Sequence, residues 1–293
     1  MTLASELRRV LAIGATGTTG GLLCRELIGR GVPVTAASRT GCGTAGARSV
    51  QFDWYSPATY ERAVAGAEAV YLIAPTGEPA PEAVMRPFLQ YAASKKVRRA
   101  VLLSSSLVPA GGPGLGRVHE LVAETFDEWA VLRPSWFMQN FTNDHMHARN
   151  IGDRGLITTA TGDGRVAFID AHDIARFASA ILVGQNAPNT DLTLTGPSAL
   201  SYADVASIIS RASGRTVRHQ QTNYQHMCEI HRSNGLPEAY AEMLAGLDAL
   251  IATGAEDRVT DTVARVTGRT PTTFETFVTR EWACETEFRA IAP

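Results

Sequence analysis

The feature that most constrains the fold of this chain is a glycine-rich turn close to its start. The segment Gly14–Gly20 (GATGTTG) follows an apolar run, Arg8–Ile13, and opens the stretch Gly20–Arg30, in which leucines recur at helical spacing. Glycines let the backbone turn tightly and approach a phosphate, whose charge is favoured by the free N–H groups of a helix N-terminus. A strand, this turn and a helix in succession predict a dinucleotide-binding unit, with an ordinary βα turn as the alternative.

Apolar runs continue to alternate with helical stretches up to about residue 134. Strands are predicted at Val32–Ser38, Ser49–Phe52, Ala69–Ala74, Ala100–Ser105 and Trp129–Arg133, and helices near Ser56–Ala65, Pro81–Lys95 and Leu115–Asp127. This repetition is typical of an α/β protein with a doubly wound parallel sheet, the Rossmann type.

The pattern changes in the second half of the chain. Residues 151–169 are irregular and rich in Gly, Thr and Asp, and helical patterns follow at Asp170–Leu182, Tyr202–Ala212, Tyr224–Arg232 and Glu238–Thr253. We expect residues 1–135 to form the dinucleotide-binding domain, with a returning strand near 189–196. Residues 136–188 and 197–293 are then expected to form a smaller, α-rich region that binds substrate.

The end of the second predicted strand bears on the choice of cofactor. A site that prefers NAD places Asp or Glu about 20 residues after the glycines, where it binds the ribose hydroxyls. Here the chain reads Ser38-Arg39 instead, and a guanidinium would bind a 2′-phosphate in a bidentate manner. The sequence therefore predicts NADPH as cofactor, with a solvated loop cation as the alternative for Arg39.

Other strand ends complete the predicted cofactor site. Asp53 is expected near the adenine amino group, or else as the N-cap of the next helix, and Ala74-Pro75-Thr76 lies along the expected ribose path, although Pro75 could simply stop the strand. The full predicted set is Gly14, Thr16, Gly17, Thr18, Thr19, Gly20, Ser38, Arg39, Asp53, Ala74, Pro75, Thr76, Ser104 and Pro134.

Composition excludes several other classes of protein. The formal net charge of −2 provides no basic field for nucleic acid or anionic lipid, and no apolar run reaches the roughly 20 residues that span a bilayer. We therefore expect a cytoplasmic protein. The four cysteines are scattered and predict free thiols, with no zinc site or disulfide, and the Asp144–His147 run lacks a third metal ligand. Asp173 precedes an apolar stretch and is predicted to be its helix N-cap.

Longer motifs resemble a known family. Besides the glycine turn, Phe52-Asp53-Trp54, Val131–Phe141 (VLRPSWFMQNF) and Ala160–Asp173 (ATGDGRVAFIDAHD) resemble the NmrA-like branch of the atypical short-chain dehydrogenase/reductases. The similarity is closest to the ergot-alkaloid reductases of the festuclavine synthase and agroclavine dehydrogenase type. It covers nearly the whole chain and implies a Rossmann fold with a nicotinamide cofactor.

The catalytic triad of a conventional short-chain dehydrogenase is missing. One literal Tyr-x-x-x-Lys, Tyr91–Lys95, precedes the strand that should supply the serine, so we interpret it as a coincidence at a helix end. After the fifth strand, where tyrosine and lysine would lie, the chain has His119 and Ala123. The ergot-alkaloid reductases have a histidine in the same setting.

An iminium substrate would explain the missing triad. A C=N⁺ group already carries the charge that a carbonyl gains only on protonation, so hydride can add to it without a strong acid alongside. His119 and Ser106 are the catalytic candidates. Ser104–Ser106 could also be a polar strand end, and His119 could be a packing histidine.

Besides His119, the candidates for substrate binding are three residues that follow the sixth strand. Trp136 and Phe137 would form an aromatic wall, and Asn140 would orient a ligand, although core packing is the alternative for the aromatic residues.

Three functions remain open from the sequence. The first is an NADPH-dependent reductase that transfers hydride to an iminium or an activated C=C of a small, planar heterocycle in secondary, alkaloid-like metabolism. The second is a reductase of a quinone- or quinolone-type ring. The third is a non-catalytic NmrA-like regulator that senses NAD(P). The oligomeric state stays open.

Overall fold

The structure, a computed structural model, describes residues 8–291, with side chains up to residue 282. The chain forms two compact units. Of the described residues, unit 1 comprises those up to Pro134 together with Ala171–Leu194 and Arg265–Gly268, and unit 2 comprises Ser135–Asp170, Thr195–Ala264 and those from Arg269 onward.

The strands are short. They are β1 (Val10–Ile13), β2 (Val34–Ser38), β3 (Arg48–Gln51), β4 (Ala69–Leu72), β5 (Arg99–Leu103), β6 (Glu128–Pro134), β7 (Leu156–Thr159), β8 (Arg165–Val166), β9 (Thr190–Leu194), β10 (Leu200–Ser201) and β11 (Arg218–Gln221).

Helices connect the strands. They are α1 (Thr18–Gly29), α2 (Tyr60–Val64), α3 (Pro81–Ser94), α4 (Leu115–Thr125), α5 (Met146–Arg154), α6 (Ala171–Val183), α7 (Tyr202–Ser213), α8 (Tyr224–Ser233), α9 (Glu238–Ala252), α10 (Thr262–Thr267) and α11 (Phe274–Ile291), with 3₁₀ turns at Pro57–Thr59 and Met138–Phe141.

Unit 1 is built on a seven-stranded sheet in the order β3-β2-β1-β4-β5-β6-β9, and every neighbouring pair is parallel. The order runs outward in both directions from β1 and β4, which is the doubly wound arrangement. The predicted fold class is therefore confirmed. The returning strand is β9, which pairs with β6.

Helices cover both faces of this sheet, because strands buried on both sides need a layer on each. On one face, α2, α3 and α4 pack over a core whose aromatic centre is Phe52, Trp54, Tyr60 and Phe88. On the opposite face, the alternate residues of β1, β4 and β5 are also buried. The helices α1 and α6 pack against each other and against the strands on that face.

The position of α6 differs from the sequence prediction. Residues up to 188 were expected in the substrate region, but α6 belongs to unit 1 because it packs on α1, β4 and β5. Asp173 is also not the helix N-cap: α6 already begins at Ala171, so Asp173 is its third residue, is buried, and pairs with Arg176 at 2.7 Å.

Unit 2 combines helices with two small sheets, in which β10 pairs antiparallel with β8 and β11 pairs parallel with β7. Its core includes Phe141, Phe168, Tyr202 and Phe274, and the Phe141 ring contacts each of the other three rings. We predicted neither α5 nor β7, since α5 (MHARNIGDR) is mostly polar and buries only His147 and Ile151.

Several absences hold for the described part of the chain. Cys24, Cys42 and Cys228 are free thiols, and Cys284 lies outside the described side chains. Across residues 8–291, no helix combines the length and apolar character needed to cross a bilayer. No cluster of metal-ligating side chains suited to an ion occurs among the described residues.

Candidate functional site

The glycine turn of unit 1 has the backbone geometry that only glycine fits. Gly14 has φ of +74°, in the left-handed region, and a Cβ on Gly20 would lie 2.2 Å from the carbonyl oxygen of Gly14. The turn closes through a 2.9 Å hydrogen bond from the Gly17 N–H to the same carbonyl. Any side chain at Gly20 would push the start of α1 away from the end of β1.

The N-terminus of α1 is presented to solvent by this turn. Gly17 occupies the N-cap position without a side-chain cap, and Thr16, Gly17 and Thr18 are exposed. Thr19 differs because it is buried and its hydroxyl accepts a 3.2 Å hydrogen bond from the Tyr71 hydroxyl. Its side chain therefore anchors the helix to β4, and the exposed end of α1 is a site that favours an anion.

A second loop follows β2. The Ser38 hydroxyl donates to the Cys42 carbonyl at 2.5 Å, and the Gly41 N–H donates to the Ser38 carbonyl at 3.1 Å. These bonds hold Arg39 on the outside of the loop, where its side chain is exposed and forms no hydrogen bond or ion pair with the described residues. Its guanidinium donors remain available for an anionic ligand.

Asp53 lies two residues after β3 and is half-buried. Its carboxylate accepts a 3.0 Å hydrogen bond from the Tyr55 N–H, and its own N–H donates to the Thr59 hydroxyl. The following 3₁₀ helix begins at Pro57 with Ser56 as its N-cap. The alternative prediction for Asp53, a helix N-cap, is therefore wrong, because the carboxylate closes a turn before the helix starts.

Two further predicted segments lie at the ends of β4 and α3. After β4, Ala74 and Pro75 are half-buried and Thr76 is exposed, and the Glu78 N–H closes a turn on the Pro75 carbonyl at 3.3 Å. Tyr91 lies near the end of α3, shortly before β5 begins, with the Lys95 ammonium 5.2 Å from its ring centroid. It therefore lies toward the amino end of β5, opposite to the strand end where ligands bind in such sheets.

Two buried serines follow β5. The Ser104 N–H donates to the Leu132 carbonyl at 2.7 Å, and the Ser106 N–H donates to the carbonyl of Pro134, the buried last residue of β6, at 3.0 Å. The Ser104 hydroxyl is buried and has no hydrogen-bond partner among the described residues. An unpartnered buried hydroxyl is costly in an ordinary strand end, so this atom is suited to a bound polar group.

His119 lies in α4 and is buried, with 5% of its surface exposed. Its ring centroid is 5.7 Å from that of Trp129, and its Nδ1 has no hydrogen-bond partner in the described structure. Burial lowers the pKa of His119, and Arg133 acts in the same direction, while Asp191 opposes the effect. The imidazole is therefore neutral at neutral pH, and a neutral imidazole is a poor proton donor.

The predicted substrate residues of unit 2 are Trp136, Phe137 and Asn140, and all three are half-buried. Phe137 lies in a segment that bridges to Ile169 through backbone hydrogen bonds of 2.9 Å on either side. Of the three, Trp136 lines a cleft of about 420 Å³, measured with its open mouth. The other lining residues are His145, Met146, His147, Tyr202, Met227, His231, Leu244, Leu247 and Asp248.

Sequence reasoning missed most of this cleft. The sequence feature that belongs to this cleft is the run Asp144–His147, which we interpreted from the sequence only as a metal-binding motif without a third ligand. His145 instead caps α5, since its Nδ1 accepts a 3.2 Å hydrogen bond from the His147 N–H. Asp248 lies on α9 and accepts a 2.8 Å hydrogen bond from the Ala160 N–H. Burial raises the pKa of Asp248 to about 6.

Two family models match the chain. One, described as NAD(P)H-binding, covers residues 14–184, and the other, described as the NmrA-like family, covers residues 120–278. Together they span both the glycine turn and the cleft-lining segments of unit 2.

Individual proteins are also similar over nearly the full length. The uncharacterized oxidoreductase YesF of Bacillus subtilis (strain 168) is 42% identical over 279 residues, 95% of this chain and 97% of that protein. An agroclavine dehydrogenase of Claviceps fusiformis is 34% identical over 278 residues, 92% of this chain and 96% of that protein. The crystal structure of the Citrobacter sp. triphenylmethane reductase with NADP(H) superposes with a TM-score of 0.76 at 21% identity, covering 93% and 99% of the two chains. At that identity, the structural likeness shows the fold.

Proposed function

Because the chain belongs to the NmrA-like family of NAD(P)H-binding proteins and is an NADPH-dependent oxidoreductase, we propose that it reduces a C=N⁺ (iminium) or activated C=C group of a small, planar heterocycle. We place this reaction in secondary, alkaloid-like metabolism. The observation that carries the proposal is the buried, neutral His119 at the helix position where a conventional enzyme has its acidic tyrosine, with Ala123 one turn later.

The residues of unit 1 fit NADP(H). The close approach of Gly20 to the Gly14 carbonyl leaves the exposed start of α1 open to a pyrophosphate, and the buried Ser104 hydroxyl has no partner among the residues described here. We assign the 2′-phosphate to Arg39, whose loop is held by Ser38. The remaining contacts we propose are with Thr16, Gly17, Thr18 and Thr19 for the phosphates, Asp53 for the adenine, and Ala74, Pro75, Thr76 and Pro134 for the riboses and nicotinamide.

Bound NADPH supplies the hydride. The residues of this chain then need only bind and orient the acceptor, because an iminium that accepts hydride becomes a neutral amine and takes up no proton in that step. A neutral His119 suits this requirement, since an imidazolium beside a cationic acceptor would repel it. We keep Ser106 as the second catalytic candidate because its backbone is fixed against Pro134 at the ends of β5 and β6.

The relatives support a catalyst over a regulator. The proteins at 42% and 34% identity are named as an oxidoreductase and as an agroclavine dehydrogenase, and each covers more than nine-tenths of this chain. Within unit 2, we keep Trp136, Phe137 and Asn140 as substrate-binding candidates, and Trp136 is the one that lines the cleft.

The test is NADPH oxidation with matched acceptors. We would offer N-methyl-3,4-dihydroisoquinolinium, menadione and cyclohexenone to the purified protein and follow the absorbance of NADPH. We expect the highest kcat/KM for the iminium. A clear preference for menadione would replace the proposal with quinone reduction. Tight NADPH binding without oxidation by any acceptor would favour a sensor of the NADP(H) pool.

A further inference from the structure

The cleft of unit 2 contains one carboxylate among its lining residues, Asp248, and that carboxylate pairs with no cation in the described part of the chain. Asp248 forms no ion pair with any residue that the structure describes, and its recorded hydrogen bond is with the Ala160 N–H at one of its two oxygens, Oδ2. A partly buried carboxylate without a counter-ion is unfavourable in the free protein. Its second oxygen can receive a donor from a ligand.

The histidines around the cleft do not balance this charge. Burial lowers the pKa of His145 to about 4, lowers that of His147 well below its ordinary value, and lowers that of His231 as well. All three rings are therefore neutral at neutral pH. Tyr202 stays protonated, because burial and the charge of Asp248 raise its pKa. The lining thus carries a net negative charge.

A second polar atom in the cleft wall also lacks a partner. His147 is 8% exposed and its Nδ1 has no hydrogen-bond partner among the described residues. Its ring is held between Phe141, stacked at 5.5 Å, and Tyr202 at 5.7 Å. Packing therefore fixes an imidazole with unused hydrogen-bonding capacity in the wall of a cleft that also holds an unpaired carboxylate.

We propose that this cleft binds a small, planar amine cation, with Asp248 as its counter-ion. Trp136 and Tyr202 supply aromatic surface, which attracts cations as well as flat rings. Met146, Met227, Leu244 and Leu247 supply apolar contacts. The inference rests on the proposed function for the class of ligand, and on the residues of unit 2 for the site.

Other ligand classes fit these residues less well. An anion would be repelled by Asp248 and would meet no positive charge on the three neutral histidines. A purely apolar ring would leave the carboxylate buried and unpaired. A metal ion has no suitable ligand cluster among the described residues. A cation with an apolar ring body satisfies both the charge and the surrounding surface.

The experiment is direct binding by titration calorimetry without NADPH, so that the result is independent of turnover. The probes are N-methyl-3,4-dihydroisoquinolinium, whose charge does not titrate, and its neutral carbon analogue, 2-methyl-3,4-dihydronaphthalene. We expect the native protein to prefer the cation by about tenfold or more, and Asp248→Asn to weaken the cation by about 10- to 100-fold while leaving the neutral analogue unchanged or tighter. Glu242→Gln, which removes an exposed charge from the same helix, should change neither affinity.

The dependence on pH gives a second readout. Cation affinity should fall as the pH decreases through about 6, because Asp248 becomes protonated there. The other titratable groups that line the cleft are His145 and His147 at the start of α5, Tyr202 on α7 and His231 on α8. Protonation of the histidines would also repel the cation, and the pH dependence that they cause is still present in Asp248→Asn. The difference between the two profiles therefore isolates Asp248.

Equal affinity of the native protein for both probes, or undiminished cation binding by Asp248→Asn, would overturn the inference. A second variant, Leu244→Trp, should fill the cleft and weaken both probes, and two unchanged affinities would place binding elsewhere. If cation binding follows Asp248 but NADPH is not oxidised, the cleft stands and the proposed function fails. If the iminium is reduced with kcat/KM unaffected by Asp248→Asn, the function stands and the cleft assignment fails.

Discussion

Asp248→Asn should stabilise the folded protein at neutral pH, although it removes a hydrogen-bonded group. Burial raises the pKa of Asp248 from its ordinary value of 3.8 to about 6, so the folded state binds this proton more tightly than the unfolded state does. The resulting stabilisation is fully present below about pH 3.8 and is lost as the pH rises through about 6. Above that range, the native protein retains a partly buried charge that asparagine lacks.

The magnitude follows from the two pKa values. The difference between 3.8 and about 6, at about 1.4 kcal/mol for each tenfold change in proton affinity, gives about 3 kcal/mol. Because the side chain is only partly buried, we expect about 1–3 kcal/mol. The asparagine carbonyl can still accept the hydrogen bond from the Ala160 N–H, so little is lost in exchange.

The assay is urea unfolding of both proteins at several pH values between about 4 and 8. The stability of Asp248→Asn relative to the native protein should be near zero at the acidic end and should rise through about pH 6. Glu242→Gln, on the exposed side of α9, should show no such rise. A variant that is less stable than the native protein at pH 8, or a difference independent of pH, would refute the reasoning.

Three further predictions concern unit 1. Arg39→Asp should weaken NADPH binding by about 1.5–3 kcal/mol and reduce the preference over NADH, whereas Arg62→Asp, an exposed control outside the loop, should not; equal affinities of the native protein for the two cofactors would sink the assignment. Tyr91→Phe should leave turnover nearly intact, and a loss of about 10²–10⁴-fold would restore the conventional mechanism. His119→Ala should lower kcat about tenfold without changing cofactor affinity, and the native pH profile should show no loss of activity above an imidazole pKa. A steep loss there would make His119 the proton donor.

Local signals in the sequence predicted much of unit 1. Glycine positions, apolar runs and strand ends depend on neighbours within a few residues, so the β1-turn-α1 segment and the doubly wound parallel sheet could be predicted from the pattern alone. The sequence also predicted that Tyr91 lies near a helix end before the fifth strand, and the structure has it near the end of α3.

The cleft of unit 2 could not be predicted in the same way. It depends on side chains brought together from distant segments, such as His147 on α5 and Asp248 on α9, and neither segment carries a binding motif. The helix α5 is mostly polar and buries only two side chains, so its existence was missed as well. Asp173 was also misassigned. An acidic residue before an apolar stretch is typical of a helix N-cap, and the local sequence does not distinguish that role from the buried ion pair that Asp173 forms with Arg176.

The most direct test of the central claim is deuterium transfer from NADPH that carries deuterium in both C4 positions to N-methyl-3,4-dihydroisoquinolinium, followed by mass spectrometry of the product. We expect one deuterium at the former iminium carbon of the resulting tertiary amine. The variant His119→Ala should give the same product at a lower rate. An unlabelled product, or none while NADPH is bound, would contradict the proposal that this protein delivers hydride to an iminium.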